Sequence, residues 1–432
     1  MTCSRTGRRP PERQIVVVER LAAGGDAVAH LDDGLVVFVS GAAPGDRVEI
    51  RVHERHRSFA RAEVERILEA GPARREPECA RQRGGDGVAC GGCPWMHLDE
   101  GAQRAAKEDV VRSALRKVAT AEQIAPIVAP VEALRWRRRA RLRWRRGLEP
   151  FALGYAARRS HVLVDAPTCA QLEVPLEAAF EAARGALGDA LEGAGELSGV
   201  VGVRGDVHLA IRGRVTAAGL GAARALVGVA GIRGVALRGP DGDVDVGDAQ
   251  IDLGEDDAPT FMHAEAFCQA SRAGNDALRA AVRAAVGDVT GRRVLELHAG
   301  AANFTRDLVA AGAEVVAVEE HAGGVALAAA TLAARGAKAT LLTQAAGAAV
   351  TAWSGPAPAL VLVDPPRTGL EPGLAKSLAA LRAPRLVYVS CDAATLARDL
   401  ALLTGYAVER VVPFDLMPQT AHVEIVCTLT AG

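Results

Sequence analysis

Apolar and polar residues follow three different patterns along this chain. Up to about residue 70, apolar positions come in short runs that alternate with polar ones. Residues 14–19, 35–39, 47–52 and 62–67 read as strands, separated by turns such as Gly24-Gly25-Asp26 and Pro44-Gly45-Asp46. Some five short strands in roughly 55 residues predict a small barrel of the OB type. The middle of the chain is mixed. Residues 71–100 form a cysteine-bearing loop flanked by Pro72 and Pro77. A helix is predicted over 100–118, arginine-rich strands over 135–165, an Ala-rich helix over 173–195, and further strands over 199–260 with turns such as Gly239-Pro-Asp-Gly-Asp243. From residue 270 onward, helical periods alternate with buried apolar runs at 293–297, 313–319, 360–364, 385–390 and 424–429. That alternation predicts an open, doubly wound α/β sheet.

Composition narrows the class. The chain has 432 residues, 49% of them hydrophobic and 24% charged, which suits a folded protein of two or three domains. No apolar run is long enough to cross a membrane, and the start carries arginines without an apolar core, so a cytoplasmic protein is expected. The net charge of -1 hides an asymmetry. Residues 1–160 hold 30 Lys+Arg against 21 Asp+Glu, and the remainder holds 21 against 31. A polyanion is therefore expected on the front half.

Chemistry-bearing residues gather at strand ends of the α/β half. Glu319 ends its second strand, 19 residues beyond Gly300, where a carboxylate can accept hydrogen bonds from both hydroxyls of a ribose. The glycine pattern itself is weak, because alanines stand at 301 and 302. Asp364-Pro365-Pro366-Arg367 ends another strand, and arginine in the fourth place disfavours amine methylation. Cys391 sits at a strand-to-helix turn, where helix amides would favour the thiolate and make it a candidate nucleophile. Glu424, two residues after His422, opens the last strand and can serve as a general base.

Two further sets lie in the front half. Cys79, Cys90 and Cys93, with Cys169 far downstream, form a three-plus-one thiol set suited to zinc or an iron–sulfur cluster, and the unequal spacing favours the cluster. Residues 135–146 hold eight arginines and two tryptophans. In a strand, Arg137, Arg139, Arg141, Arg143 and Arg145 would share one face and follow an RNA backbone, with Trp136 and Trp144 offering stacking surfaces.

Together these motifs resemble the RNA uracil-5 methyltransferase family, in its branch with a TRAM domain and a 4Fe-4S cluster. The resemblance spans nearly the whole chain. It rests on Cys79, Cys90, Gly91-Gly-Cys93, Cys169, Phe267-Cys-Gln269, Asn303-Phe-Thr305, Glu319, Asp364-Pro-Pro-Arg367, Ser390-Cys391-Asp392, Thr395-Leu-Ala-Arg-Asp399 and His422-Val-Glu424. It departs at His298, where the family usually has an aromatic residue. It departs also at Ala301-Ala302, where the family is glycine-rich, and at Asp392-Ala393, where it usually has Asn-Pro.

The resemblance implies a multidomain α/β protein: an OB-like TRAM barrel over 1–70, a central iron–sulfur-bearing α+β domain over 71–260, and a Rossmann-like class I methyltransferase domain over 261–432. It implies Cys391 as nucleophile and Glu424 as base. It implies S-adenosyl-L-methionine contacts from Gln269, His298, Asn303, Glu319 and Asp364, and a 4Fe-4S cluster on the four cysteines. The expected partner is ribosomal or transfer RNA, with 23S rRNA preferred; a monomer is expected, with no membrane or DNA partner. The alternatives are a tRNA enzyme or an inactive RNA-binding relative.

Overall fold

The computed structural model describes residues 12–82, 88–147, 151–240, 242–254 and 258–432. The arginine-bearing start and Asp241 of the Gly239–Asp243 turn lie outside the described residues. The front of the chain forms a six-stranded sheet: β1 (Glu12–Val17), β2 (Arg20–Leu21), β3 (Ala27–His30), β4 (Val36–Ser40), β5 (Arg47–Arg55) and β6 (Ala60–Glu69). Its order is β1-β5-β6-β4-β3-β2, with only β4 and β6 parallel. Alternation is the cause: Val48, Ile50 and Val52 point inward while their neighbours along β5 stay at least partly in water.

Next come α1 (Glu100–Leu115), β7 (Arg139–Arg146), β8 (Ala152–Ala156), β9 (Leu163–Asp165), α2 (Val174–Leu187), β10 (Leu191–Val201), β11 (Val207–Val215), α3 (Ala217–Leu226), β12 (Ile232–Gly239), β13 (Gly242–Gly247), β14 (Ile251–Asp252) and β15 (Phe261–Met262). A second sheet runs β13-β12-β11-β10-β7-β8-β9. Two expectations need correction here. The helix expected over 173–195 ends at Leu187; Gly188 caps it and the chain enters β10. Residues 217–226, expected among strands, form α3, started by Thr216, whose side chain accepts the Gly219 N–H at 3.2 Å.

The third sheet is built from β16 (Arg293–Leu297), β17 (Glu314–Glu319), β18 (Thr340–Thr343), β19 (Leu360–Val363), β20 (Arg385–Ser390), β21 (Tyr406–Phe414) and β22 (Glu424–Ala431). Its order is β18-β17-β16-β19-β20-β22-β21: five parallel strands and an antiparallel pair at one edge. Helices α4 (Arg272–Val286), α5 (Thr305–Ala310), α6 (Ala322–Ala334), α7 (Ala346–Thr351), α8 (Leu374–Leu381) and α9 (Ala393–Leu402) flank it. Leu295, Leu297, Val361 and Val363 pack toward α7, α8 and α9, while Val294, Leu360 and Leu362 pack toward α4 and α5. A doubly wound sheet needs that two-sided burial.

The expected limits at 71–260 and 261–432 are crossed in space. Val111 and Leu115 of α1 belong to the apolar cluster of the third sheet, and Ile124 and Val128 bridge to Val411 and Phe414 of β21. β14 and β15 pair across residue 260. Among the described residues, no helix is long and apolar enough to cross a membrane.

Candidate active site

In the third sheet, β16 pairs with β17 on one side and β19 on the other, so the chain reverses its winding between them. Ligands bind beyond the strand ends at such a point. A cleft of about 2010 Å³ opens there, lined by Gln269, His298, Glu319, Asp364, Cys391 and Glu424. The four expected metal-ligating cysteines and Arg137, Arg139 and Arg141 line the same cleft.

At one end Glu319 holds a defined carboxylate. Its oxygens accept the Gly300 N–H at 2.9 Å and the His321 N–H at 2.8 Å. Burial opposes its ionisation, but the donors from His321 and Gly300 outweigh burial, and its pKa lies below the usual value. The loop between β16 and α5 is strained. His298 (φ 62) and Ala302 (φ 69) adopt the left-handed conformation beside Gly300 (φ 56). Burial lowers the His298 pKa, and its Nε2 has no hydrogen-bond partner. Asn303 departs from expectation. It is not among the residues lining the cleft, and its amide exchanges two 3.0 Å hydrogen bonds with Asn275 of α4.

At the other end, antiparallel pairing of Ser390 with Ile425 sets Cys391 opposite Glu424 one residue further along. Burial, and then Asp364, raise the Glu424 pKa to about 8; burial raises Asp364 to about 7. The thiol corrects the expectation of a favoured thiolate. Burial first, then Glu424, push Cys391 up to about 12, and Arg367 opposes them only in part. The helix field is blunted locally: Asp392 caps α9, its carboxylate accepting the Ala394 and Thr395 N–H groups at 3.0 and 2.9 Å. Burial, with Arg367 and Lys107, lowers His422 to about 4, so this imidazole is neutral.

The Asp364–Leu370 loop is tied to α9 through buried Asp399. That carboxylate accepts the Tyr388 hydroxyl at 2.7 Å and the Leu370 N–H at 2.8 Å. Arg398 donates to the Thr368 carbonyl at 2.8 Å, and Thr395 Oγ1 to that of Arg367 at 3.2 Å. Sequence reasoning also passed over Glu296. It is fully buried in β16, and burial raises its pKa to about 8, with Thr305 opposing that only in part. The available signal was a carboxylate flanked by leucines in the interior of β16, whose other charge, Arg293, stands at the strand's start.

Cys79, Cys90, Cys93 and Cys169 come close enough to act on one another's charge. Burial first, then neighbouring thiols, raise Cys90, and Cys93 to about 12. The Gly92 N–H points at Cys90 Sγ at 3.4 Å. Among the described residues no group of three or more His, Cys, Asp or Glu is placed to hold a metal ion, the four cysteines included.

The arginine strand is shorter than expected. β7 starts at Arg139, and Arg141, Arg143 and Arg145 form its exposed face. Arg137 and Arg139 are half-buried at the cleft, Arg139 donating to the Ala266 carbonyl at 3.0 Å. The tryptophans do not offer stacking faces. Trp144 is 1% exposed because even positions of β7 face the core, and Trp136, just before the strand, is 6% exposed.

The TRAM domain family matches residues 9–64, and the family described as tRNA (Uracil-5-)-methyltransferase matches residues 357–431. The 23S rRNA (uracil(1939)-C(5))-methyltransferase RlmD of Pseudomonas putida is 33% identical, over 99% of this chain and 96% of the relative. Its namesake from Halomonas elongata is also 33% identical, over 95% of this chain and 88% of the relative. Among solved structures, the Pyrococcus abyssi tRNA (uracil-54, C5)-methyltransferase in complex with S-adenosyl-L-homocysteine shares the fold. Its TM-score is 0.74 at 21% identity, over 96% of this chain and 100% of that one.

Proposed function

The chain belongs to the RNA uracil-5 methyltransferase family, and on that footing we propose that it methylates carbon-5 of a uridine in 23S rRNA through a covalent adduct between Cys391 and carbon-6 of the ring. Ribosomal RNA is preferred over transfer RNA because relatives a third identical over nearly the full length carry the 23S rRNA name. The observation that carries the mechanism is the strand register that opposes Cys391 and Glu424 inside the cleft.

The cleft fits S-adenosyl-L-methionine. Glu319 is an ionised carboxylate on the cleft wall that could accept hydrogen bonds from a ribose, and Asp364 is a half-buried carboxyl facing the same cleft. When bound, this cofactor supplies a methyl group on a positively charged sulfur. Carbon-5 of uracil is a poor nucleophile. Cys391 gives its proton to solvent and its sulfur adds to carbon-6, which moves the ring double-bond electrons onto the carbon-4 oxygen and makes carbon-5 nucleophilic. Carbon-5 then takes the methyl group. Glu424 removes the carbon-5 proton, the ring electrons re-form the double bond, and Cys391 leaves as thiolate. The target base must leave its stack to reach these strand ends.

The four cysteines suit a 4Fe-4S cluster in their chemistry. What supports this reading is that all four thiols line one wall of the cleft, where Cys79 and Cys169 help to raise the pKa of Cys90 and Cys93. The adduct mechanism needs no electron transfer, so the cluster's role is to bind Cys79–Cys93 to Cys169.

The test is the pair of catalytic variants, assayed on 23S rRNA and tRNA transcripts with labelled cofactor. Cys391→Ala should abolish turnover and form no adduct. Glu424→Gln should accumulate a methylated protein–RNA adduct on denaturing gels, because elimination waits on proton removal. Turnover by Cys391→Ala would overturn the nucleophile, normal turnover by Glu424→Gln would overturn the base, and methylation of tRNA alone would overturn the substrate.

A further inference from the structure

Glu424 stands at the end of a loop whose other end is pinned by a buried charge. Residues 415–423 connect β21 to β22, and Met417, Thr420, Ala421, His422 and Val423 line the cleft together with Glu424. Phe414 closes β21 directly opposite Glu424, so Asp415 begins the loop one residue beyond the strand partner of Glu424. The Asp415 side chain is 6% exposed and accepts from Lys107 Nζ of α1 at 2.5 Å; the Lys107 side chain is fully buried.

The same ammonium donates to the Met417 carbonyl at 3.1 Å. That carbonyl also accepts the Thr420 hydroxyl at 2.7 Å, and Thr420 Oγ1 in turn accepts the His422 N–H at 3.2 Å. A continuous hydrogen-bonded path therefore runs from Lys107 to a point two residues before Glu424. Gln103, one turn earlier on the same face of α1, holds Gln419, which is buried in the left-handed conformation (φ 68). The loop backbone is thus fixed at several points without regular secondary structure.

Taking a charged pair out of water is costly, and an apolar pair of similar volume is often as stable or more so. What the ions add is direction. An ammonium donates only along its three N–H bonds, and here they are shared between a carboxylate and a carbonyl two residues apart. The charge of Lys107 also helps to keep His422 neutral.

We propose that the Lys107–Asp415 pair is a positioning device for proton removal: by fixing the loop it aims the Glu424 carboxylate at carbon-5 of the bound uracil. The proposal rests on the reading of Glu424 as the base. Neither Lys107 nor Asp415 lines the cleft, so both act through the loop.

The test replaces the pair in one double variant, Lys107→Met with Asp415→Leu, and separately makes Asp415→Asn. The substrates are 23S rRNA transcripts with hydrogen or deuterium at carbon-5 of uridine. Misplacing a reacting group by about 1 Å costs on the order of 100-fold in rate, so kcat of the double variant should fall roughly 10- to 100-fold, with KM for S-adenosyl-L-methionine unchanged. The deuterium isotope effect on kcat should grow, and methylated protein–RNA adduct should accumulate on denaturing gels, because proton removal becomes the slow step. Asp415→Asn should move rate, isotope effect and adduct in the same direction by a smaller factor, and it decides alone if the double variant does not fold. Unchanged kcat in the folded variants would overturn the proposal. So would a lower kcat without a larger isotope effect and more adduct, which would mark the pair as purely structural. Normal turnover by Glu424→Gln would instead overturn the base reading on which the proposal rests.

Discussion

Glu424, Asp364 and Glu296 are three carboxyls that folding makes harder to ionise, with pKa values raised to about 8, 7 and 8. Unfolded carboxyls titrate near about 4. Between that value and each raised one the folded chain holds more protons at these groups than the unfolded chain. These carboxyls alone would lower stability as pH rises from about 4 to 8, but burial lowers His97, His208 and His422 to about 4, which works the opposite way up to about 6.5; the net fall is therefore expected between about 6.5 and 8. Thermal melts of the cofactor-free protein should show that fall, and Glu424→Gln should flatten it. Turnover should move the opposite way and rise toward about pH 8, because only ionised Glu424 is a base. A single residue also carries a backbone penalty. Ala302 is buried with φ 69, a conformation that costs a β-carbon about 1 kcal/mol. Ala302→Gly should raise stability by roughly 0.5–1 kcal/mol in denaturant titrations, and a drop would show that the alanine methyl's packing outweighs the strain. Glu319, Asp364, Cys391 and Glu424 were legible because each stands at the end of an apolar run, where the chain must turn beyond the sheet. The Cys391 ionisation was not, since it depends first on how deeply the fold buries the thiol and then on Glu424 beside it.

Strand β7 shows how one element divides its work between faces. Arg141, Arg143 and Arg145 are exposed, while Leu142 and Trp144 enter the core of the second sheet. Gly195 of β10 and Gly213 of β11 leave room for the indole; a β-carbon on either would come within 2.6 and 2.5 Å of Trp144. Trp144→Phe should cost about 1–3 kcal/mol of stability and leave the RNA affinity of the folded protein unchanged. Weaker RNA binding at full stability would return Trp144 to a stacking role. Replacing Arg141, Arg143 and Arg145 together by Ala should reduce the salt slope of RNA binding by roughly 0.7 to 0.9 for each phosphate that is no longer neutralised, with cofactor binding intact. Period-two alternation was enough to reveal this strand. It also placed the odd-numbered arginines together on one face; it did not reveal that Trp144 on the other face is enclosed, because arginine beside tryptophan reads as a binding surface until the neighbouring glycines are known. Helix α3 escaped for a related reason: an Ala/Gly-rich stretch with one arginine has little periodicity, and Thr216 is its clearest start signal.

At the scale of the molecule, segments far apart in sequence share one cleft, and two kinds of cross-link hold its walls. The first is polar and buried. Gln103 of α1 and Gln419 exchange hydrogen bonds of 2.8 and 2.9 Å, and Arg75 reaches the same Gln419 amide oxygen at 2.9 Å. Such a knot joins the segment after the barrel to the loop that leads into Glu424, and no sequence pattern could pair residues 316 positions apart. The second is the thiol set, which sets the 79–93 loop against Cys169 on the segment before α2. If a 4Fe-4S cluster closes it, protein purified without oxygen should be brown, absorb broadly in the visible blue and carry about four irons per chain. Cys90→Ser and Cys169→Ser should each lower iron content and melting temperature together, because ligand binding energy becomes folding energy when the ligands come from separate segments. Removing the metal by chelation should lower the melting temperature of the unaltered chain toward that of these variants. About one zinc per chain and no iron would replace the cluster by a zinc site, and full stability in both serine variants would show that the polar knot alone holds the cleft wall.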